Sequence, residues 1–207
     1  MQADLFGNTT KTNKEIALEL AKSIQGLELH FDFIDKAQEL ELTRLIDNSN
    51  WLNDLSRRVQ HYGYKYNYKS RKIDNSFFLG ELPHWLKDLS QQIIEKELID
   101  FIPDQAIINE YESGQGIAPH IDCEPCFGDT IISLSLGSTC VMNYENEPNS
   151  NNKVGIFVEP RTLLIMKKDS RYNWYHGIPP RKSDIFNEQV HRRQRRVSIT
   201  FRKVILK

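Results

Sequence analysis

The stretch TIISLSLG, residues 130–137, decides the fold class, because apolar and small polar residues alternate along it. Side chains two apart in an extended chain point to the same side, so the apolar residues of this stretch would share one face. Such alternation is typical of a β-strand with one covered face. The stretch therefore predicts a strand of a β-sheet.

Short segments rich in β-branched residues surround this stretch and are separated by Gly, Pro and Asn. They read AIINEYE (106–112), CVMNYE (140–145), KVGIFVE (153–159), TLLIMKK (162–168) and RRVSITFRKV (195–204), and PNSNN (148–152) has the composition of a hairpin loop. Earlier in the chain, apolar spacing predicts helices over residues 13–24, 35–46 and 83–98. The fold class is therefore α+β, with helices first and then an antiparallel sandwich or barrel.

Composition limits the classes of protein to which the chain can belong. With 207 residues, 39% hydrophobic and 27% charged, we expect one globular domain over residues 1–207. The net charge of −1 requires any nucleic-acid surface to be local. Three cysteines do not form a disulfide framework, we expect no secretory signal, and no apolar run reaches the length of a membrane span. We expect an intracellular, cytoplasmic protein.

The sequence APHIDCEPC, residues 118–126, allows two kinds of metal site. His120 and Asp122 would project together from a strand, and His176 would add a third ligand from a different strand. Two histidines and one carboxylate leave coordination positions open, as in non-haem Fe(II) oxygenases. The alternative for His176 is a half-buried histidine bonded to backbone.

The second possibility is a zinc clip built on Cys123 and Cys126. Such a clip needs two more ligands, and Cys140 is the one remaining cysteine. The other histidines show no matching spacing. We therefore expect both cysteines to be bystanders that bind nothing.

The segment RRVSITFRKV would place two arginines and two hydroxyls on one face of a strand. These residues are Arg196, Ser198, Thr200 and Arg202. Guanidinium groups bind carboxylates through paired hydrogen bonds, so this face suits a dicarboxylate such as 2-oxoglutarate. The alternative is an exposed polar face of a terminal strand.

Three segments taken together resemble the AlkB family of Fe(II)- and 2-oxoglutarate-dependent dioxygenases: INEYESGQGIAPHID (108–122), SRYNWYHGI (170–178) and RRVSITFRKV (195–204). The resemblance spans about residues 50 to 205. It implies a double-stranded β-helix, or jelly roll, over residues 101–207. Residues 1–100 would then form N-terminal helices and a nucleotide-recognition lid.

The resemblance also implies roles for individual residues and the cofactors Fe(II), 2-oxoglutarate and dioxygen. The matching positions are His120, Asp122 and His176 for iron, Arg196 for the distal carboxylate of 2-oxoglutarate, Arg202 near its metal-bound end, and Asn109 and Tyr111 as further contacts. Ser198 stands where several family members have an asparagine that touches the co-substrate. This departure affects that one contact.

The most basic stretch, RRVQHYGYKYNYKSRK at residues 57–72, interleaves basic and aromatic residues. Such a pattern suits phosphate contact and base stacking, although an aromatic core face with a solvated basic edge would look the same. Because the family's lid occupies this place, we expect substrate contacts from Arg57, Arg58, Tyr62, Tyr64, Lys65 and Lys69. Glu124 occupies a position where some members read the base.

A second basic group lies near the final strand and could form a phosphate-holding rim or a solvated loop. It consists of Arg181, Lys182, Arg192, Arg193 and Arg195. Within the family, the chain most resembles the oxygenase domain of tRNA wobble-uridine hydroxylases. We therefore expect a monomeric enzyme that oxidises modified or alkylated bases in DNA, RNA or tRNA. The alternatives are the same chemistry on a protein side chain, and a catalytically silent nucleic-acid-binding jelly roll.

Overall fold

The computed structural model describes residues 11–53, 56–67, 72–147 and 153–206. Its helices are α1 (Asn13–Lys22), α2 (Lys36–Asp47), α3 (His84–Glu95) and α4 (Lys168–Tyr172). Its strands are β1 (Leu27–His30), β2 (Val59–Tyr62), β3 (Gln105–Tyr111), β4 (Ile117–His120), β5 (Ile131–Gly137), β6 (Cys140–Glu145), β7 (Val154–Val158), β8 (Leu163–Met166), β9 (Tyr175–Ile178), β10 (Ser183–Phe186), β11 (Gln189–Arg192) and β12 (Arg196–Arg202).

The three helices predicted from apolar spacing are confirmed, with ends that differ by a few residues. Thr12 and Glu15 form a capping box at the start of α1, and Asp35 and Gln38 form another at the start of α2. Each box satisfies backbone N–H groups that the first helical turn leaves without partners. Pro83 precedes α3. No described helix has both the length and the apolar character needed to cross a membrane.

The strands form two main antiparallel sheets and a separate hairpin. The large sheet has the order β1-β8-β5-β12-β3-β2, the small sheet has the order β4-β9-β6-β7, and β10 pairs with β11. The predicted antiparallel sheet system is therefore confirmed. The predicted division near residue 100 is wrong in one respect, because β1 and β2 come from the first hundred residues and pair with β8 and β3.

Strand β5 is buried on both faces, so the prediction of one covered face is wrong. Its residues Ile132 and Leu134 pack under the helices, whereas Ser133 and Ser135 face the other way and are also buried. The small polar residues are buried because the second sheet covers them. In this chain, alternation marks a boundary between an apolar core and a polar interior.

Two apolar clusters stabilise these layers. One lies between the two sheets and includes Leu164, Met142 and Ile156. The other packs the opposite face of the large sheet against α2 and α3, through residues such as Ile46 and Leu86. The predicted hairpin loop at 148–152 lies outside the described residues, although β6 and β7 on either side of it pair antiparallel.

Candidate active site

His120, Asp122 and His176 form a compact group that could hold a metal ion. One ligand atom from each lies within 4.8 Å of the others. The His176 Nε2 and Asp122 Oδ2 atoms are 3.5 Å apart. His120 is half-buried, and the other two are buried. Two imidazoles and one carboxylate, with no fourth ligand among the described residues, fit a metal that keeps positions open for other molecules.

The small sheet brings the two histidines together. His120 ends β4 and lies directly opposite His176 of β9, and their ring centroids are 4.4 Å apart. Gly177 permits this approach, because a Cβ atom there would stand 2.8 Å from the backbone nitrogen of Pro119. Asp122 follows β4 rather than continuing it, so the predicted placement of both ligands within one strand is wrong.

Hydrogen bonds and burial prepare the three side chains as ligands. The Nδ1 atom of His120 lies 2.9 Å from the Ala118 carbonyl oxygen, which favours Nε2 as the free ligand atom. Burial, followed by the charge of His120, lowers the pKa of His176 to about 3. Burial alone would raise the pKa of Asp122, but the Arg202 guanidinium holds it well below its usual range. Near pH 7, His176 is therefore an uncharged imidazole and Asp122 a carboxylate, which are the forms in which these side chains bind a metal.

Arg202 fixes the carboxylate of Asp122. Its Nε donates to Asp122 Oδ1 at 2.9 Å, and its Nη2 lies 2.6 Å from the same oxygen. Its Nη1 donates to Gln105 Oε1 at 3.3 Å. Because Oδ1 is occupied, Oδ2 is left for a metal. Arg202 thus lies at the metal end of β12, in agreement with its predicted position.

Arg196 lies at the opposite end of β12 and has unused donors. It is 3% exposed, and its Nη2 donates to Ser135 Oγ at 2.7 Å. Its Nε and Nη1 are buried without a hydrogen-bond partner among the described residues. A buried guanidinium with free donors is costly unless an anion completes it. This observation fits a carboxylate of a bound co-substrate.

One cavity of about 670 Å³ joins the triad to Arg196. Asn109, Tyr111 and Ser198 line it, so the structure brings the predicted co-substrate residues to the same space as the metal ligands. β3 and β12 are paired so that Asn109 lies opposite Ser198 and Tyr111 opposite Arg196. Their side chains therefore line the cavity side by side.

Arg57 was predicted to contact nucleic acid, but it lies inside this cavity. It is 9% exposed, and its Nε donates to Asn109 Oδ1 at 2.9 Å. Arg58 points to the other side of the sheet, where it pairs with Glu110 and stacks over Trp51. Phosphate contact by Arg58 would compete with Glu110. The two adjacent arginines therefore have different environments.

Tyr62 and Tyr66 lie on different sides of the large sheet, although one uninterrupted strand over residues 57–72 would place them on the same side. Tyr62 packs edge-on against Trp85 on the helix side of the large sheet. Gly63 has a φ of +75° and interrupts the alternation. Tyr64 then packs on Phe78, with ring centroids 5.0 Å apart, and is not among the residues that line the cavity.

Tyr66 also lines the cavity, although it was not among the tyrosines expected to contact the substrate. Its ring lies 5.5 Å from that of Phe127. Glu124 also lines the cavity and is exposed, and its contact with the base stays a prediction. Lys65 is exposed beside this segment, and Lys69 lies outside the described residues. In the sequence, only Gly63, which interrupts the alternation of side chains along the strand, could have indicated that Tyr66 lines the cavity.

Most of the second basic group is engaged in ion pairs. Arg193 and Arg181 both bond the fully buried Asp184. Arg195 pairs with Glu110 and Asp47. Lys182 and Arg192 are exposed with no acidic partner among the described residues. A phosphate-holding rim would therefore depend on Lys182 and Arg192.

Cys123 and Cys126 are joined in a disulfide, so the prediction that they bind nothing is wrong. The amides of Cys126 and Phe127 both donate to the Cys123 carbonyl, and this tight turn brings the two cysteine Cα atoms to 5.3 Å. Neither cysteine belongs to the metal-binding group found among the described residues. The zinc clip is thus not formed.

Arg171 was also missed by the sequence reasoning. It is 2% exposed, and its guanidinium donates to backbone carbonyls of the segment 122–128, including the Asp122 carbonyl at 2.9 Å. Burial lowers its pKa. A single arginine in SRYNWYHGI carries no signal of this kind, because its partners are backbone atoms distant in sequence.

Comparison with known proteins adds independent findings. Residues 10–202 match the model of the 2OG-Fe(II) oxygenase superfamily. An uncharacterized protein of Acanthamoeba polyphaga mimivirus is 40% identical over 93% of this chain and 91% of its own length. The alkylated DNA repair protein ALKBH8 homolog of Arabidopsis thaliana is 35% identical over 94% of this chain. The tRNA (carboxymethyluridine(34)-5-O)-methyltransferase alkbh8 of Xenopus tropicalis is 37% identical over 86% of it.

The chain spans 64% of the Arabidopsis relative and 32% of the Xenopus relative. Among solved structures, OsALKBH1 superposes with a TM-score of 0.64 at 19% identity, over 86% of this chain and 96% of that one. This structural likeness shows the fold. The matching family model, the relatives and the His120–Asp122–His176 group agree: the chain belongs to the 2OG-Fe(II) oxygenase superfamily as an AlkB-type dioxygenase, a family of enzymes that use Fe(II), 2-oxoglutarate and dioxygen.

Proposed function

We propose that the chain oxidises modified or alkylated bases in nucleic acid, with His120, Asp122 and His176 holding the iron. The observation that carries this proposal is the set of residues that line the cavity. It has the metal-binding group in its wall, and Tyr66 and the exposed Glu124 also line it. An aromatic ring and a hydrogen-bond acceptor are what a flipped or unpaired base needs for stacking and for contact with its polar edge.

Residues at different positions along the cavity have different roles. When bound, Fe(II) and 2-oxoglutarate supply the activation of dioxygen that oxidises a C–H bond of the substrate, while 2-oxoglutarate becomes succinate and carbon dioxide. Arg202 keeps Asp122 oriented toward the metal. Arg196 binds the far carboxylate of 2-oxoglutarate through its unused donors, aided by Asn109, Tyr111 and the hydroxyl of Ser198.

We also propose the finer architecture that the family resemblance implies. The two sheets form a double-stranded β-helix within one domain, and the nucleotide-recognition lid lies in the basic stretch 57–72, after β2. Support comes from Tyr66 in the cavity wall and from the exposed side chains of Lys65, Phe78 and Leu79 beside it. A monomeric state and a cytoplasmic location stay predictions.

Modified tRNA is our preferred substrate within this class. The name of the Xenopus relative refers to carboxymethyluridine at position 34 of tRNA, and that of the Arabidopsis relative to alkylated DNA. This chain covers 32% of the length of the Xenopus relative. We therefore do not extend to this chain the methyltransferase activity in the name of that relative. Oxidation at C–H bonds would give a stable alcohol on a ring substituent and loss of formaldehyde from an N-methyl group.

Mass spectrometry of nucleosides tests the proposal. The iron-loaded protein is incubated with 2-oxoglutarate, ascorbate and either total tRNA, methylated DNA and RNA oligonucleotides, or a peptide mixture. We expect one nucleoside to gain an oxygen atom or lose a methyl group, and no change with Asp122→Ala. Oxidised peptides with unchanged nucleosides would favour the protein side-chain alternative. Absence of succinate under all conditions would favour a silent binding domain.

A further inference from the structure

Arg57 lies in the co-substrate cavity, although no motif of the sequence places it there. It precedes β2, which lies beside β3 at the edge of the large sheet. Its side chain lines the cavity together with Arg196 and Asn109. Val59 lies opposite Asn109 in the register of β2 and β3, so the backbone just before β2 passes close to Asn109. The sheet therefore delivers Arg57 to this end of the cavity.

The contact between Arg57 and Asn109 fixes the orientation of an amide. A guanidinium carries donors and no acceptor, so the amide atom that faces Arg57 Nε at 2.9 Å has to be the oxygen. The Nδ2 group of Asn109 is then left as a donor, and no hydrogen bond among the described residues uses it. A carboxylate in the cavity accepts hydrogen bonds and would be repelled by an amide oxygen. Arg57 therefore sets Asn109 in the orientation that an anionic ligand needs.

Arg57 and Arg196 also meet at one aromatic ring. Their guanidinium carbons lie 5.6 Å and 5.5 Å from the centroid of Tyr111. Two cations held by the same ring stay close together although their charges repel. The ring thus keeps both positive charges near one point of the cavity.

Neither cation has an acidic partner among the described residues. Arg202 of the same cavity pairs with Asp122, and Arg58 next to Arg57 pairs with Glu110. Arg57 and Arg196 appear in no ion pair of the described part of the chain. Two buried positive charges without a carboxylate require an anion to offset their cost.

This pair of cations lies at the end of the cavity remote from the metal. Arg202 bonds the metal ligand Asp122, and Arg196 is six positions earlier on the same strand. 2-Oxoglutarate carries its second carboxylate at the end away from its metal-binding 2-oxo acid. We infer that Arg57 is a positioning residue for that distal carboxylate, acting through Asn109 and supplying a second positive charge beside Arg196. The inference rests on the co-substrate of the family and not on the identity of the nucleic-acid substrate.

Calorimetric titration of 2-oxoglutarate tests this role without turnover, with Mn(II) in place of iron. Loss of one charge-assisted contact predicts a Kd about 10-fold higher for Arg57→Gln than for the unsubstituted protein. Arg58→Gln is the matched control, because the adjacent guanidinium pairs with Glu110 on the other side of the sheet. It should leave the Kd within about 2-fold, a change worth less than a weak hydrogen bond. Equal losses in the two variants would overturn the inference.

A shorter ligand separates a role at the distal carboxylate from a general structural role. 2-Oxobutyrate binds the metal through the same 2-oxo acid but has no distal carboxylate. Arg57→Gln should therefore weaken 2-oxoglutarate and leave 2-oxobutyrate unchanged. An equal loss for both ligands would mean that Arg57 supports the cavity rather than the carboxylate, and would overturn the inference.

A double-mutant cycle tests whether Arg57 acts through Asn109. In the background of Asn109→Ala, the substitution Arg57→Gln should change the Kd less than it does alone, since the amide that it orients is gone. Fully additive losses would contradict this route. If Arg57→Gln lowers the Tm strongly, Arg57→Lys keeps the charge without the guanidinium fork and should give an intermediate Kd. An unchanged Kd in Arg57→Lys and Arg57→Gln alike would refute the role.

Discussion

Neighbouring arginines on the two faces of the large sheet differ in whether a carboxylate pairs with them. Arg57 and Arg58 are adjacent, as are Arg195 and Arg196, and one member of each pair lies on each face. On the helix side, Arg58 and Arg195 both pair with the carboxylate of Glu110. On the cavity side, Arg57 and Arg196 flank Tyr111 without a carboxylate among the described residues.

This difference separates charges that stabilise the fold from charges that await a ligand. Glu110 is 3% exposed, so the two guanidinium groups supply the partners that its burial requires. Arg196 is equally buried, and two of its nitrogens have no partner in the described part of the chain. A satisfied buried ion pair indicates structure, and an unsatisfied buried cation indicates a binding site. The comparison can be tested one face at a time.

The largest effect is expected on the cavity side, at the metal ligands. Asp122→Ala removes the anionic member of the triad and leaves Arg202 without its carboxylate. Succinate formation should fall to background, and binding of Mn(II) should be lost, because the anionic ligand is gone and the unpaired Arg202 guanidinium repels a cation. Asp129→Ala is the control, since Asp129 is exposed and does not line the cavity. Undiminished succinate formation by Asp122→Ala would refute the metal site.

An intermediate effect is expected from the adjacent arginines of the last strand. Arg196→Gln removes the charge that faces the distal carboxylate, and the KM for 2-oxoglutarate should rise about 10- to 100-fold. Arg195→Gln should leave that KM unchanged, because Arg195 forms ion pairs with Glu110 and Asp47 on the face away from the cavity. Initial rates of succinate formation against 2-oxoglutarate concentration measure both. A similar rise in the two variants would mean that the faces are not distinct.

Periodicity was enough to predict the sheet and much of the site. Alternation along RRVSITFRKV placed Arg196 and Arg202 on one face, and β12 has them there. The ordered spacing of His120, Asp122 and His176 likewise anticipated a group whose ligand atoms lie within 4.8 Å of one another. The placement of the two arginines depends on the local repeat of a strand, which the sequence displays directly. The group of three ligands was implied by the order of the motifs and the family resemblance, because Asp122 lies beyond β4 and His176 is on β9.

Features that depend on backbone exceptions or distant backbone atoms could not be predicted. Arg57 and Arg58 look alike in sequence, and only the register of β2 against β3 decides which one enters the cavity. Gly63 breaks the alternation of the tyrosines, so Tyr66 rather than Tyr62 lines the cavity. Arg171 donates to backbone carbonyl groups. Because every residue has such a group, the sequence does not indicate which of them an arginine binds.

The smallest effect on activity is expected from the helix side, where Glu110→Gln should act on stability alone. Burial raises the pKa of Glu110, but hydrogen bonds from Arg58 and Arg195 hold it below its usual value. The pair therefore stabilises the fold above the unfolded pKa of about 4.3, and this contribution is lost as the pH falls. Near pH 7, we expect Glu110→Gln to lower the free energy of unfolding by about 1–2 kcal/mol, because both arginines stay partly exposed.

Urea denaturation at pH 7 and near pH 3 measures this prediction. The gap in unfolding free energy between the unsubstituted protein and Glu110→Gln should narrow at the lower pH, where the carboxylate of the folded protein begins to take up a proton. The Kd for 2-oxoglutarate should not change, since Glu110 lies on the face away from the cavity and is absent from its lining. A weaker Kd in Glu110→Gln would show that the two faces are coupled through β3, and that the arginines on the helix side help to place Asn109 and Tyr111.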